Sequence, residues 1–99
     1  MSAEYATFNV ADYLDDEEVI AEFLSAAAED ENPDVLLRAI AEIAKARGIA
    51  AVAEKAGLGR ESLYKSLAPG AHPRFETISA ILKALNMRLA LVPAREPSE

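Results

Sequence analysis

Residues 49–67 read IAAVAEKAGLGRESLYKSL, and this stretch decides the fold. It reads as a helix, a tight turn and a second helix. Val52, Ala53 and Ala56 fall on one face of the first helix. Gly57 follows, where a helix ends most cheaply on a residue that accepts a left-handed backbone. Leu58 plugs the turn, and Leu63 and Leu67, at i and i+4, form the buried edge of the second helix. Two short helices cross closely only where the residue at the crossing is small. Ala53, Gly57 and an apolar residue six places beyond the glycine meet the packing requirements of a helix-turn-helix of the DNA-binding kind.

The second helix is expected over about residues 60–67. Its outward face carries Arg60, Glu61, Tyr64 and Lys65. In a helix-turn-helix the first turn of this helix enters the major groove, and here that turn holds Arg60 and Glu61. Arg60 has the fork that matches a guanine edge, and Glu61 can accept from a cytosine amine. Lys65, Ser62 and Tyr64 have the reach and chemistry for phosphates or bases, and Arg74 for the backbone beside them. The candidate DNA-binding set is therefore Arg60, Glu61, Ser62, Tyr64, Lys65 and Arg74. The competing reading is an ordinary helical hairpin with a solvated face of mixed charge. Gly59 stands where Ser or Thr often caps such a helix; it is a tolerable N-cap but brings no hydroxyl to a phosphate.

Working outward, Asn32-Pro33 marks a helix start, with Asn as the cap and Pro at the first helical position. Val35, Leu36, Ile40, Ile43 and Ala44 give that helix its apolar face, and Gly48 ends it. Before it, Val19, Ile20, Phe23, Leu24 and Ala27 repeat at helical spacing and predict a helix over about residues 15–29. The carboxylates between Asp12 and Glu18 suit the positive end of its dipole. After the motif, residues 68–73 (APGAHP) form a turn-rich loop. A fifth helix starts near Pro73 or Arg74, with Phe75, Ile78, Leu82 and Leu85 on its buried side and Asn86 as its C-cap. Residues 87–92 (MRLALV) alternate and read as a strand stopped by Pro93. A lone strand must pair, either with Thr7–Val10 or with the same strand of a second subunit.

The fold class expected is mainly α: a five-helix helix-turn-helix domain with a short C-terminal β-strand, which the resemblance given below makes lambda-repressor-like. Residues 1–34 form an acidic segment with one helix packed on the main domain, residues 35–92 the DNA-binding domain with its strand, and residues 93–99 a disordered tail. The chain has 99 residues, enough for one modest core, and a chain this small gains from dimerisation. It has no cysteine, hence no disulfide, thiol nucleophile or thiolate metal site. Its single histidine, His72, lies in the turn-rich loop and reads as solvated, so no metal, cofactor or catalytic role is expected. There is no apolar run of membrane length and no basic-then-apolar leader, so a cytoplasmic location is expected.

A net charge of −7 opposes phosphate binding until its distribution is considered. Residues 1–34 hold eleven acidic side chains and no Lys or Arg, while residues 35–99 hold six acidic and ten basic ones. An acidic N-terminal third is thus joined to a mildly basic remainder, which suggests a basic partner or a surface held away from DNA; the plain alternative is a solubilising acidic face.

Four blocks together resemble a known family: Val10-Ala11-Asp12-Tyr13-Leu14-Asp15; Gly57-Leu58 with Arg60-Glu61-Ser62-Leu63-Tyr64-Lys65; Pro73-Arg74-Phe75-Glu76-Thr77; and Lys83-Ala84-Leu85-Asn86-Met87-Arg88-Leu89. They are similar to the addiction-module antidote proteins, HigA-like antitoxins with a lambda-repressor-type helix-turn-helix. The resemblance spans about residues 8–92 and rests most on the RESLYK and PRFET segments in combination. Gly59 and Ala71-His72 depart from the family pattern. The resemblance implies an antitoxin of a type II module that neutralises a small basic toxin of the RelE/ParE type by direct binding. It also implies a repressor of its own operon, acting as a homodimer on double-stranded operator DNA. The alternative is a stand-alone phage-type transcriptional repressor without a toxin. A third reading is an interaction module that has lost DNA binding. An enzyme has least support, since no nucleophile, cofactor loop or ligand cluster accompanies the carboxylates.

Overall fold

The first described helix is closed at its start by a side chain. In the computed structural model, which describes residues 15–94, Asp16 adopts an extended backbone and its Oδ1 accepts from the Val19 amide at 3.1 Å. Helix α1 (Glu17–Ala28) follows, with Glu17 and Glu18 in the turn where the helix dipole favours negative charge. Helix α2 (Pro33–Arg47) starts as its sequence dictates: Asn32 Oδ1 accepts from the Asp34 amide at 2.9 Å, and Pro33 occupies a position whose missing amide hydrogen is no loss. Gly48 serves two helices. Its N–H donates to the Ala44 and Lys45 carbonyls at 2.9 and 3.2 Å, and its carbonyl accepts from Val52 at 3.0 Å. Helix α3 (Ile49–Ala56) therefore begins at once, and α4 (Arg60–Ser66) and α5 (Phe75–Ala84) complete five helices among the described residues.

Helix α1 packs on α2, α2 on α3, and α3 on both α4 and α5. The core sits where these faces meet: Ile20 and Leu24 from α1, Ile40 and Ile43 from α2, Val52 and Ala53 from α3, Leu63 from α4, and Ile81 from α5, with Leu67 and Leu85 just beyond their helices. Leu37 and Ala39 are buried as well, beyond the single stripe expected on α2. That helix contacts α1 and α3 and so buries more than one face. Val35 falls outside the core, on a shallow groove that α2 shares with α4.

Three polar links hold the ends of the helices. Both carboxylate oxygens of Asp34 accept from the Gly70 amide, at 3.0 and 3.1 Å, tying the loop after α4 to the start of α2. Arg47 Nη1 donates to the Leu85 carbonyl at 2.9 Å, serving the C-terminal end of α5 from the end of α2. Asn86 Nδ2 donates to Glu17 Oε2, joining the end of α5 to the start of α1.

Two expectations need correction. Phe75 does not line the buried side of α5; it is 72% exposed. It opens α5, and burial falls instead to Ile81, which completes the stripe with Ile78, Leu82 and Leu85. Residues 87–92 form no strand. A ladder needs a neighbour, and no described segment lies alongside to exchange backbone hydrogen bonds with them. Thr7–Val10, Asp12 and residues 95–99 lie outside the described residues.

Candidate nucleic-acid interface

The turn between α3 and α4 is built by the backbone. Gly57 stands at φ +73°, in the left-handed region. Its N–H donates to the Glu54 carbonyl at 3.1 Å, and the Leu58 N–H reaches back to the Ala53 carbonyl at 2.9 Å. This paired closure is the Schellman arrangement, and it satisfies carbonyls that would otherwise be orphaned. Leu58 is half-buried against the core beside it. Gly59 then resumes an extended backbone and α4 begins without a side-chain cap, the Leu63 amide donating to the Gly59 carbonyl at 3.0 Å.

Helix α4 is anchored by Leu63, which is wholly buried, and by Leu67 just past its end. With that edge fixed, Arg60, Glu61, Ser62 and Lys65 are all exposed. Tyr64 is 48% exposed and lines the groove along α2 with Val35, Arg38, Glu42 and Ile49. Its ring therefore rests at the rim of the face, leaning on α2. The structure thus brings five of the six candidate residues onto one short helix held against the core. Arg74 lies apart from them. It is exposed and caps α5 through its backbone, its carbonyl accepting from Thr77 at 3.0 Å and Ile78 at 3.1 Å. Among the described residues no hydrogen bond joins its side chain to α4.

The charge of this face is mixed, with Arg60 and Lys65 against Glu61 on the helix and Lys55 in the last turn of α3. The described residues up to Asp34 carry nine carboxylates and no basic group, and all but Asp34 are exposed. The two charge classes are divided along the sequence but meet at one cleft, lined by Asp15 and Glu17 with Arg47, Lys55 and Lys83. No group of three or more His, Cys, Asp or Glu side chains among the described residues is arranged to hold a metal ion. No described helix is long and apolar enough to cross a membrane.

The residue that sequence reasoning missed is Asp34. Next to Pro33 it looks like a simple first-turn carboxylate, yet it fixes the loop that leads from α4 to Arg74. Its partner is 36 positions away, and no local pattern announces such a pairing.

The sequence of residues 4–93 matches a family model described as a probable addiction module antidote protein. The chain belongs to this antidote family. It is also 35% identical over 95 residues to an uncharacterised protein of Haemophilus influenzae, covering 96% of this chain and 98% of the relative. No solved structure matches the chain. Membership supports an antitoxin role within an addiction module, which presupposes a toxin as counterpart.

Proposed function

We propose that this antidote is the antitoxin of a type II module that binds a small basic toxin of the RelE/ParE type and, as a homodimer, represses its own operon. The observation that carries the DNA-binding half is the α3–α4 unit: a glycine-closed turn, a core-anchored α4, and four exposed polar side chains on the face that α4 presents. In this reading the architecture is lambda-repressor-like. Helix α4 lies in the major groove, Arg60, Glu61 and Lys65 read bases, and Ser62, Tyr64 and Arg74 position the helix on phosphates. Two copies place two such helices about one helical turn of DNA apart on a pseudo-palindromic operator.

The toxin-binding half is supported by the antidote family and by the acidic surface of α1 and its flanks, which suits a cationic partner. The test is co-expression of the tagged chain with the product of the adjacent small reading frame, read by pull-down and growth. A stoichiometric complex and rescue of growth are expected. A toxic product that the chain neither binds nor neutralises would refute the antitoxin half. A chain that represses its promoter with no toxic neighbour would be the stand-alone repressor.

A further inference from the structure

We propose that residues 87–92 are the dimer contact: two copies of this segment pair antiparallel about a two-fold axis at Leu89. The inference deepens the homodimeric reading above by naming the surface and its register. Four of the five large exposed apolar side chains of the described chain bear on it or on the helix it follows: Phe75, then Leu89, Leu91 and Val92, the last two 96% and 83% exposed. The segment leaves α5 in a fixed direction. Asn86 adopts φ +66°, its N–H donates to the Lys83 carbonyl at 2.9 Å, and the Met87 N–H reaches the Leu82 carbonyl at 2.8 Å. Beyond Met87, none of the backbone groups up to Ala94 makes a hydrogen bond among the described residues. An apolar alternating segment with free backbone donors and acceptors is a template for strand addition.

The occupant follows from charge and from register. A cationic partner is drawn to the exposed carboxylates of α1 and its flanks, whereas residues 75–94 carry one Glu against one Lys and one Arg. This strip is close to neutral, so two copies meet there without strong repulsion. Pairing centred on Leu89 sets Leu89 against its mate and Met87 against Leu91 on one face. On the other face it sets Arg88 against Ala90. Centring on Arg88 would oppose two guanidiniums, and a slip of one residue would set Arg88 against Leu91. Centring on Ala90 would draw Pro93, which has no N–H, into the ladder opposite Met87. The Leu89 centre avoids facing guanidiniums and keeps Pro93 out of the ladder.

The chain has no cysteine, so the register is directly testable by cross-linking. Under mild oxidation Leu89→Cys should form a disulfide-linked dimer, and an equal mixture of Met87→Cys and Leu91→Cys should form a heterodimer. Leu91→Cys alone should cross-link about tenfold more slowly, because its mate is held beyond disulfide reach. By light scattering the parent should be a dimer, and Leu89→Asp should fall to the 10.6 kDa of one chain with an unchanged far-ultraviolet circular dichroism spectrum. A parent that is monomeric at micromolar concentration, as pairing within one chain would give, overturns the proposal. So does a dimer that survives Leu89→Asp or fails to cross-link through Leu89→Cys. The parent's binding to its promoter DNA, measured separately, shows whether the repressor reading stands when this contact does not.

Discussion

At the scale of single residues, the account rests on which side chains α4 leaves free and what holds the rest. Arg60 is exposed in the first turn of the helix proposed to enter the groove, without a hydrogen bond among the described residues to divert its guanidinium. Arg60→Ala should therefore weaken operator binding by about 1–3 kcal/mol and relax the preference at one base pair. Competition binding against single-base operator variants measures both, and the fold itself should be unaffected. Gly57 makes the opposite kind of demand. At φ +73° a Cβ would meet no neighbour, so Gly57→Ala should lose stability only through the left-handed backbone, by about 1–2 kcal/mol. Denaturant unfolding at fixed m-value tests this. The place of Gly57 was legible in the sequence, because a glycine between two short apolar-periodic helices has few other uses. That of Phe75 was not, because periodicity gives the phase of a stripe but not which of its positions a neighbour covers.

At the scale of elements, the interface depends on supports that lie outside it. Helix α4 has seven residues, too short to persist alone, so its position is set by Leu63 and Leu67 beneath it. Leu63→Ala removes a wholly buried side chain and should destabilise the fold by about 2–5 kcal/mol, and because it also unseats α4 it should lower DNA binding by more than the unfolded fraction alone. Asp34 acts differently. Asp34→Ala frees the Gly70 amide and should cost roughly 1 kcal/mol of stability while loosening the loop that carries Arg74. Faster hydrogen exchange at the Gly70 amide, with α1 unchanged, is the expected signature. The helices themselves were readable from Asn32-Pro33, Gly48 and Gly57, since caps are local chemistry. The links of Asp34 to Gly70 and of Arg47 to Leu85 were not, since each spans more than 35 positions. The alternation of residues 87–92 was misleading, because a strand needs a neighbour and none lies alongside among the described residues.

At the scale of the whole molecule, charge is divided unevenly along the chain. Carboxylates crowd α1 and its flanks, while Lys and Arg appear only after Asp34. Under the proposed reading, reversing the exposed Glu22, Glu29 and Glu31 together to Lys, which leaves the Glu17–Asn86 link intact, should weaken toxin capture in the pull-down while leaving operator affinity equal or higher, as less acidic charge opposes the phosphates. The mixed charge of the α4 face also predicts that affinity depends on salt, because a net acidic chain must bind through its few cations. The most direct test of the central claim, that α4 reads DNA, is a titration of the chain against the DNA upstream of its own gene across a range of salt. The parent should bind one site as a dimer, with log affinity falling linearly in log salt, and Arg60→Ala should lose both affinity and selectivity. Binding that is absent, or identical in the parent and Arg60→Ala, would contradict the account.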